Sequence, residues 1–114
     1  MADHIRIRKA SGRWTVRSDG GVIAESQAAL ELSEDGYDPV IYFPRGDVAM
    51  AMLDPSDKTT RCSHKGEAAY FNVVNRSETL ADAAWCYPDP DPMVADIKDC
   101  IAFYTSDRIK VERV

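Results

Sequence analysis

Apolar and polar residues alternate with a period of two along most of the chain, the pattern of strands with one buried and one solvated face. His4-Ile5-Arg6-Ile7-Arg8 opens the alternation and Arg13-Trp14-Thr15-Val16-Arg17 repeats it. Ser18-Asp19-Gly20-Gly21 then supplies residues that tolerate positive φ, and Val22-Ile23-Ala24-Glu25-Ser26 follows. That order predicts a hairpin with Trp14 and Val16 on its inner face. Ala28-Ala29-Leu30-Glu31-Leu32 fits one helical turn or a strand, and the spacing of Leu30 and Leu32 favours the strand. Glu34-Asp35-Gly36-Tyr37-Asp38-Pro39 reads as a turn, and Val40-Ile41-Tyr42-Phe43 as a core strand stopped by Pro44.

Past Gly46 the pattern changes. Val48-Ala49-Met50-Ala51-Met52-Leu53 is predicted as a short helix capped by Asp47 and ended by Asp54-Pro55, its methionines filling irregular gaps in the core. Lys58 to Cys62 is a strand that runs into the corner Ser63-His64-Lys65-Gly66, and Glu67 to Val74 leaves it. After the polar turn Asn75 to Thr79, Ala81 to Tyr87 returns, until prolines at 88, 90 and 92 forbid further pairing. Asp91 stands as an N-cap before Pro92, and Met93, Val94, Ile97, Cys100 and Ile101 form one apolar stripe at helical spacing. Ile101 to Tyr104 and Ile109 to Val114, either side of Thr105-Ser106-Asp107, suggest a terminal hairpin. The sum is a mainly β, antiparallel fold, a small barrel or two facing sheets, with one or two short helices.

A chain of 114 residues with 45% hydrophobic and 29% charged residues can bury a core without disulfides, and residues 1–114 read as a single domain. No apolar run approaches the roughly 18 residues of a membrane span, and Met1 to Arg6 lacks a signal-peptide core. No membrane contact and a cytoplasmic location are the expectations. Three cysteines at irregular spacing, Cys62, Cys86 and Cys100, then read as free thiols. The net charge of -5 repels a phosphate backbone, and Arg6, Arg8, Lys9, Arg13 and Arg17 read as the solvated face of strands, so no nucleic-acid partner is expected.

Chemistry concentrates in two stretches, Arg61 to Tyr70 and Ala84 to Pro92. Cys62 and His64, with Cys86 and Cys100, offer donors that zinc accepts, but the paired C-x-x-C knuckles of structural zinc sites are absent. No metal and no other cofactor are expected. Cys62 lies two residues from His64, on the same strand face if the strand continues, and Lys65 stands near enough to depress a thiol pKa. Lys65 in a closed pocket needs a carboxylate, Glu67 or Asp82, or else an anionic ligand. Gly66 allows a sharp turn or close approach of a ligand to the main chain. Trp85 and Tyr87 share a face, with Tyr70 and Tyr42 on strands that can lie alongside. Such rings, each with a polar tip, build a core or hold a flat ligand.

Tyr42-Phe43-Pro44 with Asp47-Val48, Thr60 to Tyr70 (T-R-C-S-H-K-G-E-A-A-Y), Ala83-Ala84-Trp85-Cys86-Tyr87-Pro88-Asp89-Pro90 and Ile101-Ala102-Phe103-Tyr104 together resemble the bacterial and fungal family called domain of unknown function 427. The resemblance implies a β-tent-like fold, two antiparallel sheets meeting at an angle. The family often has proline after its cysteine, where this chain has Cys62-Ser63-His64. It is also labelled nucleotidyltransferase-like. The Gly-Ser turn and spaced strand carboxylates of recognised nucleotidyltransferases are not matched by Asp89-Pro90-Asp91, which sits on a proline turn.

The leading expectation is a module that binds a small polar or anionic molecule in a cleft formed by Tyr42, Cys62, His64, Lys65, Gly66, Tyr70, Trp85 and Tyr87. The alternatives are an enzyme with Cys62 as nucleophile or redox centre tuned by His64 or Lys65, and a protein-interaction module such as a homodimer.

Overall fold

The computed structural model of the chain describes residues 4–114. Met1-Ala2-Asp3, the start of the segment read as lacking a signal core, lies outside the described residues. The alternating segments become strands β1 (Ile5–Lys9), β2 (Trp14–Ser18), β3 (Gly21–Ser26), β4 (Leu30–Glu34), β5 (Val40–Tyr42), β6 (Leu53–Cys62), β7 (Gly66–Val74), β8 (Thr79–Cys86), β9 (Ala102–Phe103) and β10 (Ile109–Arg113). All pair antiparallel, so the mainly β class read from the alternation is the class of the fold. Among the described residues no helix is long and apolar enough to cross a membrane.

The strands form three antiparallel sheets, in the orders β1-β4-β5, β10-β2-β3 and β6-β7-β8-β9. The first and third are stitched together at one point. Phe43 and Ile101 exchange both backbone hydrogen bonds at 2.8 Å, which carries the order from β1 through β5 and β9 to β6. Side-chain alternation then gives this joined sheet two working faces. One face meets the β10-β2-β3 sheet across a core of Val16, Ile23, Phe43, Phe71, Val73, Ile101, Phe103 and Ile109. The other closes on a second core of Leu32, Tyr42, Tyr70, Tyr87, Val94, Ile97 and Cys100.

The hairpins of β2 with β3, β6 with β7 and β7 with β8 follow the turns read from composition. The terminal hairpin does not form. β9 adds to β8 while β10 crosses to β2, pairing Val111 with Val16, because Ile109 and Val111 join the first core only from that sheet. The short helices also differ from expectation. Arg45–Asp47 and Met50–Met52 are single 3-10 turns, and Leu53, read as the end of a helix, begins β6. Asp47 caps nothing there; its carboxylate accepts from the Ser26 hydroxyl at 2.6 Å. Pro92–Ile97 is likewise 3-10, with Asp91 accepting from the Met93 amide at 2.9 Å as the cap read from sequence. Val94, Ile97, Cys100 and Ile101 are buried, but Met93 is 67% exposed because the 3-10 winding turns it off the stripe.

Candidate functional site

The two chemistry-bearing stretches meet through their backbones. β6 and β7 are joined by Ser63-His64-Lys65, with Cys62 paired to Gly66. Gly66 has φ of +108°, and a Cβ there would lie 3.4 Å from the Asp89 carbonyl oxygen. The Asp91 amide donates to the Lys65 carbonyl at 3.0 Å. The glycine therefore lets the proline turn pack directly on the corner.

An open cleft of about 400 Å³ lies beside this junction, between the β1-β4-β5 sheet and β6-β7-β8. Tyr42, Cys62, Lys65, Tyr70, Trp85 and Tyr87 line it, joined by Leu32, Glu34, Tyr37, Asp38, Val40 and Tyr104. His64 and Gly66 do not. The His64 ring turns to meet the His4 ring edge-on at 4.7 Å between centroids, and Gly66 is covered by the proline turn. No hydrogen bond joins Cys62 to His64 among the described residues, so the pairing expected of an activated nucleophile is not made. Cys86 and Cys100 are buried thiols whose pKa burial pushes up. With Cys62 and His64 they do not assemble as a zinc set. Among the described residues, no three His, Cys, Asp or Glu side chains are grouped to hold a metal ion.

Lys65 finds its carboxylate in neither Glu67 nor Asp82. Glu67 is exposed, and Asp82 accepts from Ser56 in an irregular part of the sheet where its amide is held by Asn72. The partner is Glu34, whose Oε1 accepts from Lys65 Nζ at 2.9 Å with both side chains 13% exposed. His4 Nε2 approaches the other Glu34 oxygen at 3.3 Å. Burial pushes the Glu34 carboxyl up, but the hydrogen bonds and charges of Lys65 and His4 outweigh it and hold the pKa below its ordinary value. Lys65 is thus neutralised within the protein.

The walls are phenols and an indole. Trp85 Nε1 donates to the Tyr42 hydroxyl at 3.4 Å, and the Trp85 and Tyr104 rings lie 4.5 Å apart. The Tyr70 hydroxyl is 3.0 Å from Thr60 Oγ1. Burial raises the pKa of Tyr42 and of Tyr87, while Tyr104 is pushed up to about 12 by the neighbouring Tyr70 hydroxyl and then by burial. All three stay protonated at neutral pH and can donate. Among the described residues the Tyr87 hydroxyl has no side-chain partner, it is not sealed away, and Tyr87 lines the cleft.

Sequence reasoning missed Glu34, Asp38 and Tyr104. The signal for Glu34 lay in the alternation: Leu30, Leu32 and Glu34 share one strand face, and β4 places that face on the second core.

Residues 6–114 match the model of the family described as domain of unknown function DUF427, and the chain belongs to that family. No curated protein matches the chain.

Proposed function

We propose that the protein binds a small polar organic molecule in the cleft between Lys65 and Trp85. The observation that carries this reading is Tyr87, whose hydroxyl has no protein partner among the described residues, lining a hollow of about 400 Å³ beside Trp85. A pocket with apolar walls and a few convergent polar tips is the usual construction of a small-molecule site. The Trp85 and Tyr104 rings supply a surface for a flat or saturated ring, and the phenols supply donors for its acceptors. The ground for expecting an anion, an uncompensated Lys65, is removed by Glu34. What remains is a polar ligand placed by neutral hydrogen bonds.

Thermal-shift measurements against a panel of polar metabolites test the proposal. Hits are expected to lose most of their shift in Tyr87→Phe and in Trp85→Phe. If each hit raises the melting temperature of these variants as much as that of the parent, the cleft is not the site.

A further inference from the structure

A second hollow, of about 650 Å³, lies on the opposite face of β5. β5 makes the wall between the two: Val40 borders both, Tyr42 lines only the first, and Ile41 only the second. Trp85, Tyr104 and Asp38 also belong to both, so the chambers meet along the Trp85 and Tyr104 rings. The second chamber adds Trp14 and Phe103 to those rings, and the charged side chains that line it are Glu31 and Asp38. Among the described residues no lysine or arginine lines it. Glu31 accepts from Arg8 Nε at 3.0 Å, but Arg8 is 74% exposed and outside the chamber. Asp38 has neither ion pair nor hydrogen bond from its side chain among the described residues. Aromatic faces carry negative potential, and a carboxylate at their edge adds to it, so the field inside selects positive charge. The net charge of -5 supports that sign at longer range.

We propose that this second chamber binds a small organic cation, an alkylated ammonium head enclosed by Trp14, Trp85, Phe103 and Tyr104 with Asp38 as its counter-charge. A strongly hydrated metal ion fits poorly, because among the described residues no three His, Cys, Asp or Glu side chains are grouped to replace its water. An alkylated ammonium spreads its charge over methyl groups that also bury against the rings. Elsewhere in the molecule the same pairing occurs: Lys58 Nζ stands 4.8 Å from the centre of the Tyr70 ring.

The test uses three probes of one shape. Choline carries the positive head, an alcohol with tert-butyl in place of trimethylammonium is its neutral match, and the tert-butylacetate ion is the negative one. The chain has two tryptophans, so their indole N–H signals in a nitrogen-proton correlation spectrum separate the chambers: Trp14 borders the second alone, Trp85 both. Choline is expected to move both signals saturably, with the neutral match at least about fivefold weaker, the usual gain from a cation over aromatic rings. Asp38→Asn, at an exposed position, is expected to weaken choline about threefold through loss of one nearby charge, and to leave the alcohol unchanged. The proposal is overturned if the alcohol or the anion matches choline at Trp14, if choline perturbs Tyr70 and Tyr87 without Trp14, or if no probe moves Trp14. Trp85 lines both chambers, so the two readings are told apart by Trp14 for the second and by Tyr87→Phe for the first.

Discussion

The two cores of this protein are built from different chemistry. The core between the joined sheet and β10-β2-β3 holds Val16, Ile23, Phe43, Val73, Ile101, Phe103 and Ile109 among its buried residues and, among the described residues, no tyrosine. The core on the other face of the joined sheet contains Tyr42, Tyr70 and Tyr87. A hydrocarbon core gains only by being sealed, and residues such as Phe43 and Ile101 show no exposed surface at all. Phenols gain from burial too, but each hydroxyl must find a partner or reach water. The tyrosine core therefore opens into a cleft at its phenol tips, whereas the wholly buried centre of the hydrocarbon core holds the sheets together and only its rim, at Trp14, Ile41, Phe103 and Val111, borders the second hollow.

That division is most directly attacked by Phe43→Ala. Phe43 is wholly buried, and its backbone exchanges with Ile101 the two hydrogen bonds that join two sheets. Removing the ring leaves a cavity at that junction, and the expected loss is about 4 kcal/mol. The measurement is the urea midpoint at constant slope. Domains of this kind have about 5–15 kcal/mol to lose, so the variant is expected near the edge of folding at elevated temperature. A loss below about 1 kcal/mol, within the reach of a surface substitution, would contradict the structural role given to the hydrocarbon core.

Lys65→Met sits between the two regimes. It keeps most of the apolar stem but leaves the largely enclosed Glu34 with His4 as its one ion-pair partner among the described residues. A cost of about 2 kcal/mol at neutral pH is expected from a partly buried charge deprived of its partner. The pH dependence carries the sign. The Glu34 pKa is lowered in the folded protein from an ordinary value of 4.5, so its contribution is present above that value and disappears as pH falls through the folded pKa. In Lys65→Met the main source of that lowering is gone, and the stability lost between neutral pH and acid should be smaller than in the parent. Equal acid losses in both proteins would show that the pair does not set the state of Glu34.

The hydrocarbon core was the more legible of the two in the sequence. Period-two alternation and turn residues located most strands, because a strand buried on one face must show that pattern. The terminal strand β10 was misplaced because local order favours a hairpin with β9. Nothing in Ile109 to Val114 states that β2, some ninety positions away, offers the better apolar edge. Val48 to Leu53 misled for a related reason: two methionines and two alanines suit a helix, yet Leu53 packs in the first core as the start of β6. The cleft was legible in its aromatic half, since Tyr42, Tyr70, Trp85 and Tyr87 sit at period-two positions. Its electrostatics were not. Glu34 is 31 residues from Lys65, and the local carboxylates Glu67 and Asp82 were better candidates until β1-β4 pairing brought β4 across.

The smallest change that separates the two cores is Tyr87→Phe. Tyr87 is 6% exposed, so its ring is core, and deleting one oxygen leaves that packing unchanged. Its hydroxyl has no protein partner to orphan among the described residues, and the expected change in stability is under about 0.5 kcal/mol in either direction. Burial, with the neighbouring phenols and the Cys62 thiol, pushes its pKa up, so the group lost is a neutral donor at any working pH. If that donor serves a ligand, the variant should melt with the parent when empty and separate from it when a cleft ligand is added, by about 1 kcal/mol of binding for one neutral hydrogen bond. Paired melting curves with and without a panel hit make the measurement. An empty-state loss approaching that of Phe43→Ala would mean that the hydroxyl holds the core together, and the contrast between a sealing core and an opening one would fail.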